Sequence, residues 1–235
     1  LSLHDALPIC FTARATDAAG NTSPSTAAGS IIIDTTPPGA SDIVITDNTG
    51  PVSGTITEGG VTDDTTPTIS GKTEPGSSVV ILDNGVAIGT VIADADGHWS
   101  FTPETALDDG EHTFTVDVTD PAGNTSPATA AGTITIDSTA PAAASEVTLS
   151  GDNQPLVDGA STQDNTPTLS GEAEPGSTVV IYDNGTEIGT VTADENGNWS
   201  FTPATALDDG EHTFTVDVTD PAGNTRDRKS TRLNS

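Results

Sequence analysis

Carboxylates are the chemically active side chains that this chain holds in quantity. Its 235 residues carry 35 Asp and Glu against 6 Lys and Arg, a formal charge of −29. The acids recur in fixed company: Glu-Pro-Gly-Ser at Glu74 and Glu174, Asp-Pro-Ala-Gly-Asn at Asp120 and Asp220, and Asp-x-Thr-x-Pro at Asp34 and Asp137. Calcium takes about six to eight hard oxygens, so carboxylates among turn carbonyls suit it. The competing reading is that each acid only caps its own turn through an Asx hydrogen bond. Asp94-x-Asp96-Gly97 looks like half of a calcium loop, but the later copy reads Asp194-Glu195-Asn196-Gly197. No bidentate Glu follows at the twelfth loop position, so a hairpin turn is the better reading.

Other candidate chemistry is thin. His112 and His212 follow acids (Asp108, Asp109 and Glu111 before the first), which suits acid–base work. No Ser or Cys nucleophile motif, second histidine or His-Glu-x-x-His accompanies them, so they read as solvated loop histidines. Trp99 and Trp199 could stack on sugar, yet a single Trp per repeat, in register with Phe101 or Phe201 on an apolar face, reads as core. The expectation is a non-enzyme with no catalytic and no cofactor-binding residues.

Composition narrows the classes further. Hydrophobic residues make up 32% and aromatics 3% of the chain. No run approaches the ~20 apolar residues of a membrane helix, which argues against membrane insertion. So acidic a surface repels phosphate backbones and excludes nucleic acid as a partner. The single cysteine, Cys10, permits neither an internal disulfide nor a cysteine zinc site.

Repetition shows which elements must position the acids. Residues 67–125 and 167–225 align without gaps, 47 of 59 positions being identical. A partial third copy, Phe11 to Pro38, matches Phe114 to Pro141. Within a repeat, strands and turns alternate. Asp83-Asn84-Gly85 between β-branched runs is a hairpin signal, because the tight turn needs positive φ. Residues 112–120 alternate with Phe114, Val116 and Val118 inward and Thr115, Asp117 and Thr119 outward. Strands are also expected around Ile43 to Ile45, Pro67 to Gly71, Trp99 to Pro103 and Gly132 to Asp137, about seven per repeat. Nothing carries a helical period. The predicted fold is all-β: tandem immunoglobulin-like antiparallel β-sandwiches of Greek-key type.

The two ends differ from this pattern. Leu1 to Ile9 reads like the translation of a short-read sequencing adapter, and Asp227 to Ser235 like that of the matching adapter. Four of the six basic residues, Arg226, Arg228, Lys229 and Arg232, crowd there. The expected layout is therefore an adapter artefact over 1–10, the end of a preceding repeat with its linker over 11–38, a complete repeat with linker over 39–141, a second repeat lacking its last strand over 142–225, and a second artefact over 226–235.

The combination of Asp-x-Thr-x-Pro linkers, Thr-Pro-Thr-[Ile/Leu]-Ser-Gly, Glu-Pro-Gly-Ser, Asp-Asn-Gly, Trp-Ser-Phe-Thr-Pro, Leu-x-Asp-Gly-x-His-Thr-Phe-Thr and Thr-Asp-x-Ala-Gly-Asn-Thr resembles the bacterial Ig-like repeats of large surface adhesins and biofilm-associated proteins. That resemblance spans Phe11 to Thr225. It implies a non-catalytic extracellular spacer, present in many copies and often stiffened by calcium at domain junctions. The paired cysteines of antibody domains are absent.

In such a sandwich, strand order brings Glu-Pro-Gly-Ser and Asp-Pro-Ala-Gly-Asn to the end where the chain enters. Linker Asp34 should face Glu74 and Asp120, and linker Asp137 should face Glu174 and Asp220. These six are the expected calcium ligands. The leading functional reading is a stalk of a cell-surface or secreted adhesin in cell adhesion or biofilm formation. Its partners are the neighbouring repeats of the same chain, with a host-surface or matrix ligand engaged by domains outside this stretch. The alternatives are a binding module that itself contacts glycan or host protein, and an accessory domain of a secreted carbohydrate-active enzyme. Near-identity of the copies favours the stalk.

Overall fold

Among the described residues of the computed structural model, 9–152 and 154–226, there are eighteen strands and no helix. Residues 1–8 and 227–235, which hold most of the two adapter-like ends, lie outside the described residues. The partial repeat contributes β1 (Ile9–Ala13) and β2 (Thr26–Ile31), paired antiparallel with Ile9 opposite Ile31.

The first full repeat supplies β3 (Ser41–Asp47), β4 (Gly54–Ile56), β5 (Val61–Thr62), β6 (Thr68–Lys72), β7 (Ser78–Asp83), β8 (Val86–Ile92), β9 (His98–Phe101), β10 (Gly110–Thr119) and β11 (Thr129–Ile136). They form sheets in the orders β4-β3-β6-β9 and β5-β11-β10-β7-β8. Beyond the seven strands legible in the sequence stand β4 and β5, of three and two residues, too short for an alternating pattern. The second repeat supplies β12 (Ser145–Gly151), β13 (Gln154–Leu156), β14 (Thr168–Glu172), β15 (Thr178–Asp183), β16 (Thr186–Thr192), β17 (Asn198–Phe201) and β18 (Phe214–Thr219), in sheets β13-β12-β14-β17 and β16-β15-β18.

Local chemistry explains the elements. Asp83 pairs with Val86 across a two-residue loop in which Asn84 and Gly85 both have positive φ, 48° and 79°. That mirror-image turn matches the right-handed twist of the flanking strands. Asp94 Oδ1 accepts the amides of Asp96 and His98 at 2.9 and 2.8 Å, so this loop is the expected turn from β8 into β9. Gly89 is required by close approach: an added Cβ would run into the Phe101 ring.

Packing divides the described residues into two compact units, one drawn from 9–44 with 69–101 and 114–131, the other from 45–68, 102–113, 132–152 and 154–226. In the first, Ile69, Val79, Ile81, Trp99, Phe114, Val116 and Val118 are all buried. The second holds the same seven positions one hundred residues on, with Leu169, Val179, Ile181, Trp199, Phe214, Val216 and Val218 forming one cluster. Trp99 and Trp199 are thus core side chains, 4% and 3% exposed, and offer no ring to a sugar.

The copies differ at one edge. In the first repeat β11 lies between β10 and β5, and Gly59 N, Thr135 N and Asp137 N donate in turn to Thr133 O, Gly60 O and Thr62 O at 2.8–2.9 Å. In the second, β18 ends its sheet among the described residues, and it is six residues long where β10 has ten. Phe214 and Val216 are 7% and 9% exposed where Phe114 and Val116 are 0%. Beside Phe214 opens a cleft of about 1100 Å³, lined by Leu149, Leu156, Val157, residues 158–165 and Leu207 among others.

Candidate metal centre

The end at which the chain enters the first full repeat is built from turns that bond one another. Thr73 N donates to Gly97 O at 2.8 Å and Ser77 N to Glu74 O at 3.1 Å, which folds Glu-Pro-Gly-Ser into a tight turn. Asn124 donates its amide to Asp120 Oδ1 and its side-chain Nδ2 to Asp120 Oδ2, both at 2.8 Å. The same Nδ2 reaches the linker, donating to Asp34 O at 3.1 Å. Asp34 Oδ1 in turn accepts Thr36 N at 3.0 Å.

These bonds bring Asp34, Glu74 and Asp120 together, their ligand oxygens all within 4.8 Å of one another. Asp120 is buried and the other two are half-buried. Calcium–oxygen distances of about 2.3–2.6 Å put oxygens on opposite sides of one ion roughly 4.6–5.2 Å apart, so this spread fits a single calcium ion. Burial works against ionisation of Asp120, but hydrogen bonds from Asn124 and the amides of Ala122 and Gly123 outweigh it, and its carboxyl sits below the usual range. The group is therefore anionic when the linker docks.

Among the described residues this is the one group of three that closes so far. At the next linker, Asp220 is 5% exposed and accepts Gly223 N and Asn224 N on Oδ1 and Asn224 Nδ2 on Oδ2, at 2.8–2.9 Å. Asn224 Nδ2 also donates to Asp137 O at 2.7 Å. Glu174 is exposed, and it does not join Asp137 and Asp220 in a comparably tight group.

Four participants escaped the sequence reading. Asn124 and Asn224 anchor the linkers, a role hinted at only by the recurrence of Asn in every Asp-x-Ala-Gly-Asn. Asp109 holds the second linker from the other side, accepting Ser138 N, Ser138 Oγ and Thr139 Oγ1 at 3.0, 2.7 and 3.0 Å, and these bonds lower its pKa. Asp63 donates its amide to Ala222 O at 3.1 Å, and Ala222 is 1% exposed. Burial, together with the charges of Asp47 and Asp220, raises the Asp63 carboxyl against the hydrogen bond from Thr49. No sequence signal marks Asp63, since the second repeat has Gln163 there.

The histidines are not solvated loop residues. His112 is 8% exposed. His212 bonds Asp208 O through Nε2 at 2.8 Å and Asp183 Oδ2 through Nδ1 at 2.7 Å, pinning one loop to the hairpin. Their parity with Phe114 and Phe214 carried that signal. The Asp208 carbonyl and the Asp183 carboxylate raise the His212 pKa above 6.5. A raised pKa means the fold favours the protonated ring, so this stabilisation is complete below about pH 6.5 and is lost as pH rises through the folded value. The melting temperature of the second repeat is expected to fall over that rise, and His212→Gln to flatten the profile. Parallel profiles for the two proteins would remove the ion pair from the account.

Sheets of this order and cores of this composition define a tandem array of Ig-like β-domains. The sequence profile described as bacterial Ig-like domain matches residues 40–138 and 142–234, and the chain belongs to that family. No curated protein sequence matches it. Among solved structures, the tetra-tandem repeat in the extending region of a large adhesion protein is 24% identical, with 91% of this chain and 53% of that one covered at a TM-score of 0.35. A Ca2+-stabilized adhesin that helps an Antarctic bacterium reach out and bind ice is 28% identical, covering 92% and 53%, TM-score 0.37. The BSP domain of a biofilm associated protein is 21% identical, covering 73% and 27%, TM-score 0.27. The chain spans about half the length of the first two and about a quarter of the third.

Proposed function

We propose that this chain is a segment of a non-catalytic extracellular stalk, from a bacterial adhesin of the cell surface or secreted space, that serves adhesion or biofilm formation. Each of the family-matched stretches, 40–138 and 142–234, acts as one spacer unit, and its working partners are its neighbours in the same chain. The observation that carries the reading is the linker clasp. Asp34 meets Glu74 and Asp120 within 4.8 Å, while Asn124 and Asn224 take the linker carbonyls of Asp34 and Asp137 in the same way. A device repeated at successive joints, rather than elaborated at one, belongs to a spacer.

Calcium bound by Asp34, Glu74 and Asp120 would offset two of their three negative charges and fix the linker against the turns. Asp137 and Asp220, with Glu174 drawn in, would do the same at the second joint. A ligand that binds only the folded state stabilises by about 2.7 kcal/mol at a hundredfold excess over Kd. Extracellular calcium modules bind at ~10⁻⁴–10⁻³ M, so the effect should emerge at millimolar calcium. The test is melting and small-angle scattering of the chain in EDTA, in magnesium and in calcium at fixed ionic strength. Melting temperature and maximum dimension should rise with calcium alone, and Asp120→Asn should abolish the part due to the first joint. Equal responses to magnesium and calcium would reduce the acidic loops to turns.

A further inference from the structure

The first full repeat leaves open a sheet edge that the second one guards. β8 ends its sheet and is bonded to β7 alone. Its seven residues, Val-Ala-Ile-Gly-Thr-Val-Ile, include no charge and no proline. No other edge strand among the described residues is both as long and uncharged. Val86 and Ile92 are 67% and 64% exposed, and Ala87 is exposed with them. An edge of this kind offers a row of unpaired amides and carbonyls to another extended chain.

β16 provides a comparison within the same molecule. It has the same length, the same place at the end of its sheet and the same bulge, which follows Ile181 as the first follows Ile81. Residues 188–191 repeat 88–91 unchanged. The three positions that differ are the exposed ones, with Thr186, Glu187 and Thr192 standing where β8 has Val86, Ala87 and Ile92. The hairpin therefore folds without those apolar side chains. A charge on an edge strand is also a recurrent block to edge-to-edge pairing, and only β16 has one.

We propose that β8 pairs antiparallel with β8 of a second copy of this chain across a two-fold axis. Charge selects this occupant. At a net charge of −29, two copies repel over most of their surface, and β8 is the longest edge at which they meet without opposing carboxylates. A two-fold axis sets the same seven residues on both sides, so the contact closes on itself at the dimer. One such strand pair is a small interface and binds weakly alone, gaining strength where many copies face one another. Asp83 and Asp94 flank the strand, so added salt screens their repulsion and strengthens the pairing. The contact needs neither calcium nor the stalk reading.

Sedimentation of the full chain from about 1 to 500 µM, in EDTA and at low and high salt, tests this. Mass should rise with concentration toward that of a dimer, and further in high salt. Val86→Thr, Ala87→Glu and Ile92→Thr together, the second repeat's own residues, should keep the chain monomeric with the melting profile of wild type. The reverse exchange on β16, Thr186→Val with Glu187→Ala and Thr192→Ile, should give each chain two such edges and carry association past the dimer. A wild-type chain that stays monomeric throughout leaves the edge to a partner of another kind and overturns the proposal. Association that survives the triple exchange on β8 overturns it as well.

Discussion

Phe114→Ala is expected to lower the melting transition of the first full repeat by roughly 15 °C or more. The ring is 0% exposed and sits on β10, which is flanked by β7 and β11. Aromatics make up only 3% of the chain, so few bulky neighbours can collapse into the space. A buried Phe→Ala change costs about 3–5 kcal/mol, against a total of about 5–15 kcal/mol for a whole domain. For a domain of about 100 residues each kcal/mol moves the midpoint by about 4–8 °C. Thr115→Ala, on the outward face of the same strand, should stay within about 0.5 kcal/mol of wild type. Calorimetry that finds Phe114→Ala equally mild would place the ring outside the core.

The second large effect is a difference between the two repeats of one chain. Calorimetry of the full chain should resolve two transitions, with the second repeat melting first. What that repeat lacks among the described residues is a counterpart of β11 with its two fully buried isoleucines, and burying one such side chain is worth about 1.5–3 kcal/mol. A deficit of about 3–6 kcal/mol follows as an upper bound, because the unfolded chain already buries part of that surface. Phe214→Ala should move the lower transition and leave the upper in place. Appending residues 126–141 after residue 225 should bring the two together. Coincident transitions in the unaltered chain would sink this account of β18.

What could be read from the sequence was what local chemistry encodes. Asp83-Asn84-Gly85 specified its turn through two positive φ values, and alternation from His112 to Thr119 specified the face of every side chain on β10. Strand order then placed Asp34 on the side of Glu74 and Asp120, because a sandwich sends alternate loops to opposite ends. The same argument placed Asp137 with Glu174 and Asp220, but topology positions loops and says nothing of side-chain reach, and Glu174 stands in solvent. Asn124 and Asn224 stayed hidden for a related reason. Each first satisfies its own Asp, and its bond to a linker carbonyl 90 or 87 residues away has no local signature. His112 was legible in principle, since it shares parity with Phe114, yet its acidic sequence neighbours suggested solvent.

The two-sided hold on residues 137–139 bears on what happens when the chain is pulled. Left free, the five residues from Asp137 to Pro141 would extend under tension to roughly 17 Å at about 3.3–3.6 Å per residue, and would act as a soft spring between stiff bodies. Asp109 holds Ser138 and Thr139 while Asn224 holds Asp137, so this slack is stored behind side-chain bonds. Small loads should pass the joint with little compliance, and larger ones should first shear those bonds and release the stored length before any sheet is asked to open.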